Sequence, residues 1–253
     1  MSALLRQNPQ IHAGVVSPTF DLLHAILPKM SQMSEFNAFF NNGIRRTILR
    51  SIVESFYSQT DREIIFDSNR LWTTRLNLLL ELFPDAKFIC MVRDVNEILN
   101  SFEILLARNP LEMTAMFGYS PGASVYSRAE HLMNSQIGVA GLPWIGLREA
   151  WFGEHADRLV VIDYDVLVQS PQHVLDTLYA RLNLAPFRHD LADVGYSEPG
   201  FDQNLGMPGL HDVRETISKS YNRMLLPPDL IAKHSAHSFW KYPQIGKKSL
   251  ALV

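Results

Sequence analysis

The segment from Lys87 to Val92 is an unbroken apolar run, and the chain passes from it through Arg93 and Asp94 straight into a helical pattern, Asn96 to Arg108. A strand without alternation has no polar face to offer solvent, so it suits the interior of a parallel sheet covered on both sides. Two shorter runs repeat the arrangement. Glu63 to Phe66 lies between Thr60-Asp61 and Asp67-Ser68-Asn69, reads as a buried strand, and precedes an apolar helix over 71–82 that Pro84 closes. Arg158 to Asp163 precedes a helix from Pro171 to Leu182. Strands and helices alternating at this spacing predict parallel βαβ units, an α/β fold in which helices flank a parallel sheet.

Around this framework the pattern is looser. Residues 19–58 are helical in period, interrupted at Pro28 and at Asn41-Asn42-Gly43, and another helix is expected over 228–239. The stretch 109–143 reads either as a substrate loop or as a plain surface excursion, and 186–223 is irregular, with Gly195, Gly200, Gly206 and Gly209. Neither a repeat nor a linker divides the chain, so residues 1–253 are expected to form one domain. Ala3, Leu4 and Leu5 read as the last two turns of a helix stopped at Pro9, an abrupt start for a fold.

Composition narrows the function. With 47% hydrophobic residues, 19% charged residues and a net charge of −3, the chain is neither a disordered segment nor a nucleic-acid-coating protein. The single cysteine, Cys90, excludes an intrachain disulfide framework and is expected to serve packing. No apolar run reaches the ~18–20 residues that cross a bilayer. With no signal-peptide pattern at the start, a cytoplasmic setting is expected. His234 and His237 have no carboxylate companions, so no metal site is expected.

In parallel α/β sheets, ligands bind beyond the carboxyl ends of the strands. Arg93 stands at such an end, and Ser101 lies two turns into the following helix. A planar guanidinium fork and a serine hydroxyl suit a phosphate, whereas the same spacing also fits a surface Arg93–Asp94 ion pair beside a solvated serine. Asp67 and Arg70 follow the Glu63–Phe66 run, either as reactive groups or with Asp67 and Ser68 capping a helix beside an ion-paired Arg70. Trp72 fits a ligand pocket or the core.

Several of these segments together, in order, resemble the PAPS-dependent sulfotransferases of bacterial type. The similarity lies in a strand, Arg93-Asp94 and a serine eight positions on; in Asp67-Ser-Asn-Arg70-Leu-Trp72 and the Phe83-Pro-Asp-Ala-Lys-Phe88 entry to the strand; and in Leu159 to Pro171 with its Tyr164. The resemblance implies a P-loop-kinase-like three-layer sandwich and transfer of a sulfuryl group from PAPS to a hydroxyl or amine, with PAP as product and no metal. It assigns Arg93, Ser101 and Tyr164 to the nucleotide. It adds Arg214 and His211, from a polar segment where the family closes a loop over the nucleotide. Asp67 and Arg70 become catalytic residues, and the acceptor becomes a small or lipid-like molecule rather than a nucleic acid.

The family normally opens with a strand and a loop around the 5′-phosphate, whereas Met1 to Pro9 resembles the end of its first helix. The expectation is therefore a chain lacking that first strand, with a possible homo-oligomer as a consequence. The alternative is an inactive member that binds nucleotide or serves as an interaction protein. A kinase is disfavoured because no Gly-x-x-x-x-Gly-Lys-Ser/Thr pattern occurs.

Overall fold

The computed structural model describes residues 1–31, 34–117, 124–219, 222–241 and 251–252. The chain forms two compact units, Met1–Ala86 and Lys87–Val253, each taken by itself below.

The first unit begins with one helical turn, α1 (Ser2–Leu5), whose Leu4 and Leu5 are buried. A strand that hydrophobic period did not reveal follows, β1 (Ile11–Ala13); three residues are too few to show alternation. It pairs in parallel with β2 (Ile64–Phe66), matching Ile11 to Ile64 and Ala13 to Phe66. Between them run α2 (Thr19–Ile26), continued by a 3₁₀ turn at Leu27–Met30 where Pro28 falls, and α3 (Asn42–Phe56). The Asn41 side chain accepts the Ile44 N–H at 2.9 Å and starts α3, so the expected interruption at Asn41-Asn42-Gly43 is a helix cap. The helix expected over 71–82 divides into a 3₁₀ turn, Trp72–Arg75, and α4 (Leu76–Leu82). Leu23, Leu49, Trp72, Leu79 and Leu82 supply the core. β2 departs from expectation: Ile65 is exposed and its neighbours are half-buried, because β1 is its only partner among the described residues.

In the second unit, β3 (Phe88–Val92) leads into α5 (Val95–Arg108), and Asp94 caps that helix by accepting the Asn96 N–H at 2.8 Å. Next come α6 (Val125–Leu132) and α7 (Gly141–Phe152), the second unforeseen because its apolar residues surround the helix rather than form one stripe. Then follow β4 (Leu159–Asp163), α8 (Tyr164–Gln169) and α9 (Pro171–Arg181). α10 (Pro199–Leu205) crosses the stretch read as irregular, α11 (Pro228–His234) comes later, and β5 (Ala251–Leu252) is the last described strand. Lys247 and Lys248, read as a solvated tail, lie outside the described residues.

The sheet of the second unit runs β3-β4-β5, all parallel, with Phe88 opposite Leu159 and Val92 opposite Asp163. β4 is the fully buried middle strand, backed by Val174, Leu175 and Leu178 of α9. The expectation of an interior position belongs to β4 rather than to β3. Met91 of β3 is 39% exposed, and β3 pairs only with β4 among the described residues. Parallel strands flanked by helices are thus present in both units, as the α/β reading expected. No described helix is long and apolar enough to cross a membrane.

Candidate functional site

Because Val92 and Asp163 are register partners, Arg93 and Tyr164 leave two adjacent parallel strands side by side. The Arg93 guanidinium lies 4.3 Å from the centre of the Tyr164 ring, close enough for a cation–π contact. Its Nε donates to Glu97 Oε2 at 2.8 Å, one helical turn into α5. The i,i+4 pair therefore replaces the Arg93–Asp94 pair of the alternative reading, since Asp94 is engaged as a cap. Asp163 closes the neighbouring strand end: it accepts the Asp165 N–H at 2.9 Å and the Trp240 Nε1–H at 3.3 Å.

A second cation reaches this end from far along the chain. Lys219 Nζ lies 3.0 Å from Asp165 Oδ1, so the long loop after α10 returns a basic residue to the tips of β3 and β4. Ser101, expected to turn towards Arg93, is exposed and donates to the Ile98 carbonyl at 2.7 Å.

His211 and Arg214 belong to a separately organised segment. The Asp202 carboxylate, fully buried, accepts the His211 backbone N–H at 2.8 Å and lies 2.5 Å from His211 Nδ1. Phe201 packs edge-on against the imidazole. Val213 bridges Tyr196 in antiparallel fashion, and Arg214, exposed, follows it. The structure thus brings Arg93 and Tyr164 together, adds Lys219, and holds His211 by its own aspartate.

In the first unit, Asp67 follows the last residue of β2 and collects four donors. Ser17 Oγ donates at 2.7 Å, Thr19 Oγ1 at 2.5 Å and Tyr57 OH at 2.8 Å to one carboxylate oxygen, and Trp72 Nε1 donates at 2.6 Å to the other. The capping role falls instead to Asn69, which accepts the Leu71 N–H at 3.0 Å. Burial pushes the Tyr57 phenol well above its ordinary pKa, a hydrogen bond with Ser17 partly offsets this, and the Asp67 charge and hydrogen bond add to the rise. Burial also draws the Arg70 guanidinium down, partly offset by Asp21. Trp72 is in the core, with its ring N–H committed to Asp67.

Beside this cluster, at the carboxyl ends of β1 and β2, opens a cleft of about 430 Å³ whose wall includes His12, Gly14, Ser17, Tyr57 and Ser68. Among the described residues no group of three His, Cys, Asp or Glu side chains is placed to hold a metal ion. Cys90 is buried, its thiol pushed up to about 12, which leaves it packing alone.

Some of these partners were legible and some were not. Glu97 at i+4 from Arg93 is a readable helix pair. Tyr57, Asp202 and Lys219 carry no local signal, since each meets its partner through irregular chain.

A family model described as the sulfotransferase family matches residues 2–189. Among solved structures, a sulfotransferase from Alicyclobacillus acidocaldarius aligns at 16% identity, covering 80% of this chain and 82% of that one, with a TM-score of 0.49. The sulfotransferase domain from the curacin biosynthetic pathway aligns at 16% identity over 90% of this chain and 82% of that one, with a TM-score of 0.43. A search of curated proteins finds no significant match.

Proposed function

Because the chain belongs to the sulfotransferase family, we propose that it transfers a sulfuryl group from PAPS to a hydroxyl or amine of a small or lipid-like acceptor. The acceptor oxygen or nitrogen bonds to sulfur, the bond from sulfur to the bridging oxygen breaks, and its electron pair leaves on the 5′-phosphate of PAP. The acceptor proton is released to a base. Stabilising charge on the leaving phosphate and holding the reactants in line supply most of the rate in such transfers.

The observation that carries this reading is the Arg93 guanidinium stacked on Tyr164 at the carboxyl ends of β3 and β4, with Lys219 at the same end. Arg93 spends only its Nε on Glu97 among the described hydrogen bonds, so its terminal nitrogens suit the 3′-phosphate. Lys219 adds a point charge there, and Ser101, Arg214 and His211 belong to the same side of the reading. Asp67 and Arg70 belong to the acceptor side. With donors on both oxygens, Asp67 acts through the hydroxyls it orients rather than as a free base.

The family match runs across both compact units, which supports one catalytic domain over 1–253. A lone, buried cysteine supports a cytoplasmic setting, and the edges of β2 and β3 left unpaired among the described residues support a homo-oligomer. A second reading is a member that binds nucleotide without transferring.

Calorimetric titration with PAP tests the site, and label transfer from ³⁵S-PAPS tests the reaction. PAP is expected to bind, and Arg93→Ala to weaken it at least about tenfold, the worth of a charged hydrogen bond. Absence of PAP binding in folded protein sinks the reading. Binding without transfer across a panel of alcohols and amines selects the second one.

A further inference from the structure

Arg93 is held at two points by its own unit. Its Nε donates to Glu97 Oε2 at 2.8 Å, and its guanidinium carbon lies 4.3 Å from the centre of the Tyr164 ring. The two restraints act on different freedoms: the hydrogen bond fixes where Nε points, and the ring covers one side of the guanidinium. The bond to Glu97 uses neither Nη1 nor Nη2, so the outer edge of the fork is left for two parallel hydrogen bonds. Both side chains are largely covered, Arg93 to 24% exposure and Glu97 to 30%, so water competes less for this bond than at an open surface.

Glu97 also works against an anion at the same place. A phosphate on Arg93 would stand near the Glu97 carboxylate, and like charges repel. A carboxylate here is therefore a cost to phosphate binding unless it does something for the arginine. One bland role is open to it, since Glu97 lies in the first turn of α5, where negative charge favours the helix terminus. Asp94 already caps that terminus, so the bond to Arg93 is what Glu97 adds beyond it. An arginine that is loose loses rotamer freedom when it captures a phosphate, whereas one already fixed has less to lose.

We propose that Glu97 is a positioning residue for the nucleotide: it fixes the Arg93 fork against the Tyr164 ring and so tightens phosphate binding in spite of its own charge. The proposal rests on the reading of Arg93 as the contact to the 3′-phosphate of PAPS and PAP.

Glu97→Gln and Glu97→Ala decide it. Both remove the charge, and with it both the repulsion and the benefit to the helix terminus; only glutamine keeps an oxygen that accepts from Nε. In calorimetric titration of the full chain with PAP, Glu97→Gln is expected to bind at least as tightly as wild type. Glu97→Ala is expected to bind about fivefold more weakly than Glu97→Gln. In an Arg93→Ala background the two substitutions should bind PAP equally, since no guanidinium remains to be placed. A second readout uses no nucleotide: the arginine Nε–H signals in a ¹⁵N–¹H spectrum, with that of Arg93 assigned by its loss in Arg93→Lys. The signal should be sharp in wild type and Glu97→Gln and broadened by exchange with water in Glu97→Ala.

Equal PAP affinity in the two variants, the same gap between them in the Arg93→Ala background, or an unchanged Nε–H signal in Glu97→Ala overturns the proposal and leaves the nucleotide reading intact. No PAP binding by folded wild-type protein overturns the nucleotide reading itself, and the role of Glu97 with it.

Discussion

A carboxylate that accepts four hydrogen bonds loses them together when it is removed, and Asp67 is such a group. Asp67→Ala would leave Ser17, Thr19, Tyr57 and Trp72 without their shared acceptor, so a loss of about 3 kcal/mol or more is expected in urea denaturation. Asp67→Asn keeps one oxygen and should lose less. In that variant the Tyr57 pKa should fall, because the Asp67 charge and hydrogen bond both raise it, yet remain above ordinary because burial is the largest cause. A ¹³C-tyrosine NMR titration reads this directly. Asp67 was legible as a polar residue at a strand end; its role was not. Ser17 and Thr19 reach it only because β1 and β2 pair in parallel, and Tyr57 because α3 ends beside them.

At the scale of elements, α5 and α6 are tied by one nearly buried pair. Arg128 reaches Glu103 through Nε at 2.8 Å and Nη2 at 2.5 Å, a two-point contact that raises the arginine pKa. Removing one partner strands the other, so Arg128→Met is expected to cost about 3 kcal/mol, whereas Glu103→Leu combined with Arg128→Met should cost clearly less. Chemical denaturation of the single and double variants measures both.

The turn after α10 is equally specific. Gly206 has φ of 71°, and an added Cβ would stand 2.0 Å from the Met113 carbonyl oxygen. Gly206→Ala should therefore destabilise by about 2–4 kcal/mol, while Gly200→Ala, with nothing within 4 Å, should leave the melting temperature nearly unchanged. Strand identities at β3 and β4 were readable from their apolar runs. Which one lies in the middle was not, because apolar content reports burial and says nothing of neighbours.

For the whole molecule, stability should depend on pH through His234. Its ring is buried, no described group hydrogen-bonds either nitrogen, and burial, His237 and Lys233 all lower its pKa. The unfolded chain takes up a proton near the ordinary value of 6.5, while the folded chain resists it. Stability is therefore whole above about pH 6.5 and falls as pH drops towards the lowered folded pKa. Melting temperatures between pH 5 and 8 should show this fall in wild type and a flatter profile in His234→Gln. Nucleotide acts in the opposite sense: PAP at a hundred times its dissociation constant should add about 2.7 kcal/mol. Arg93→Ala, with PAP bound at least about tenfold more weakly, should lose about half of that gain or more at the same concentration.

The sequence by itself determined the α/β class, the elements with long apolar runs, the Arg93 strand end and the likeness to a sulfotransferase. These are local facts, carried by period, by turn residues and by side chains a helical turn apart. Only the tertiary structure decided that β4 is the middle strand of its sheet, that Arg93 stacks on Tyr164, that Lys219 joins them, and that Asp67 is enclosed by four donors. Each of these depends on strand register or on an irregular loop's return, and neither is written in the spacing of any one segment.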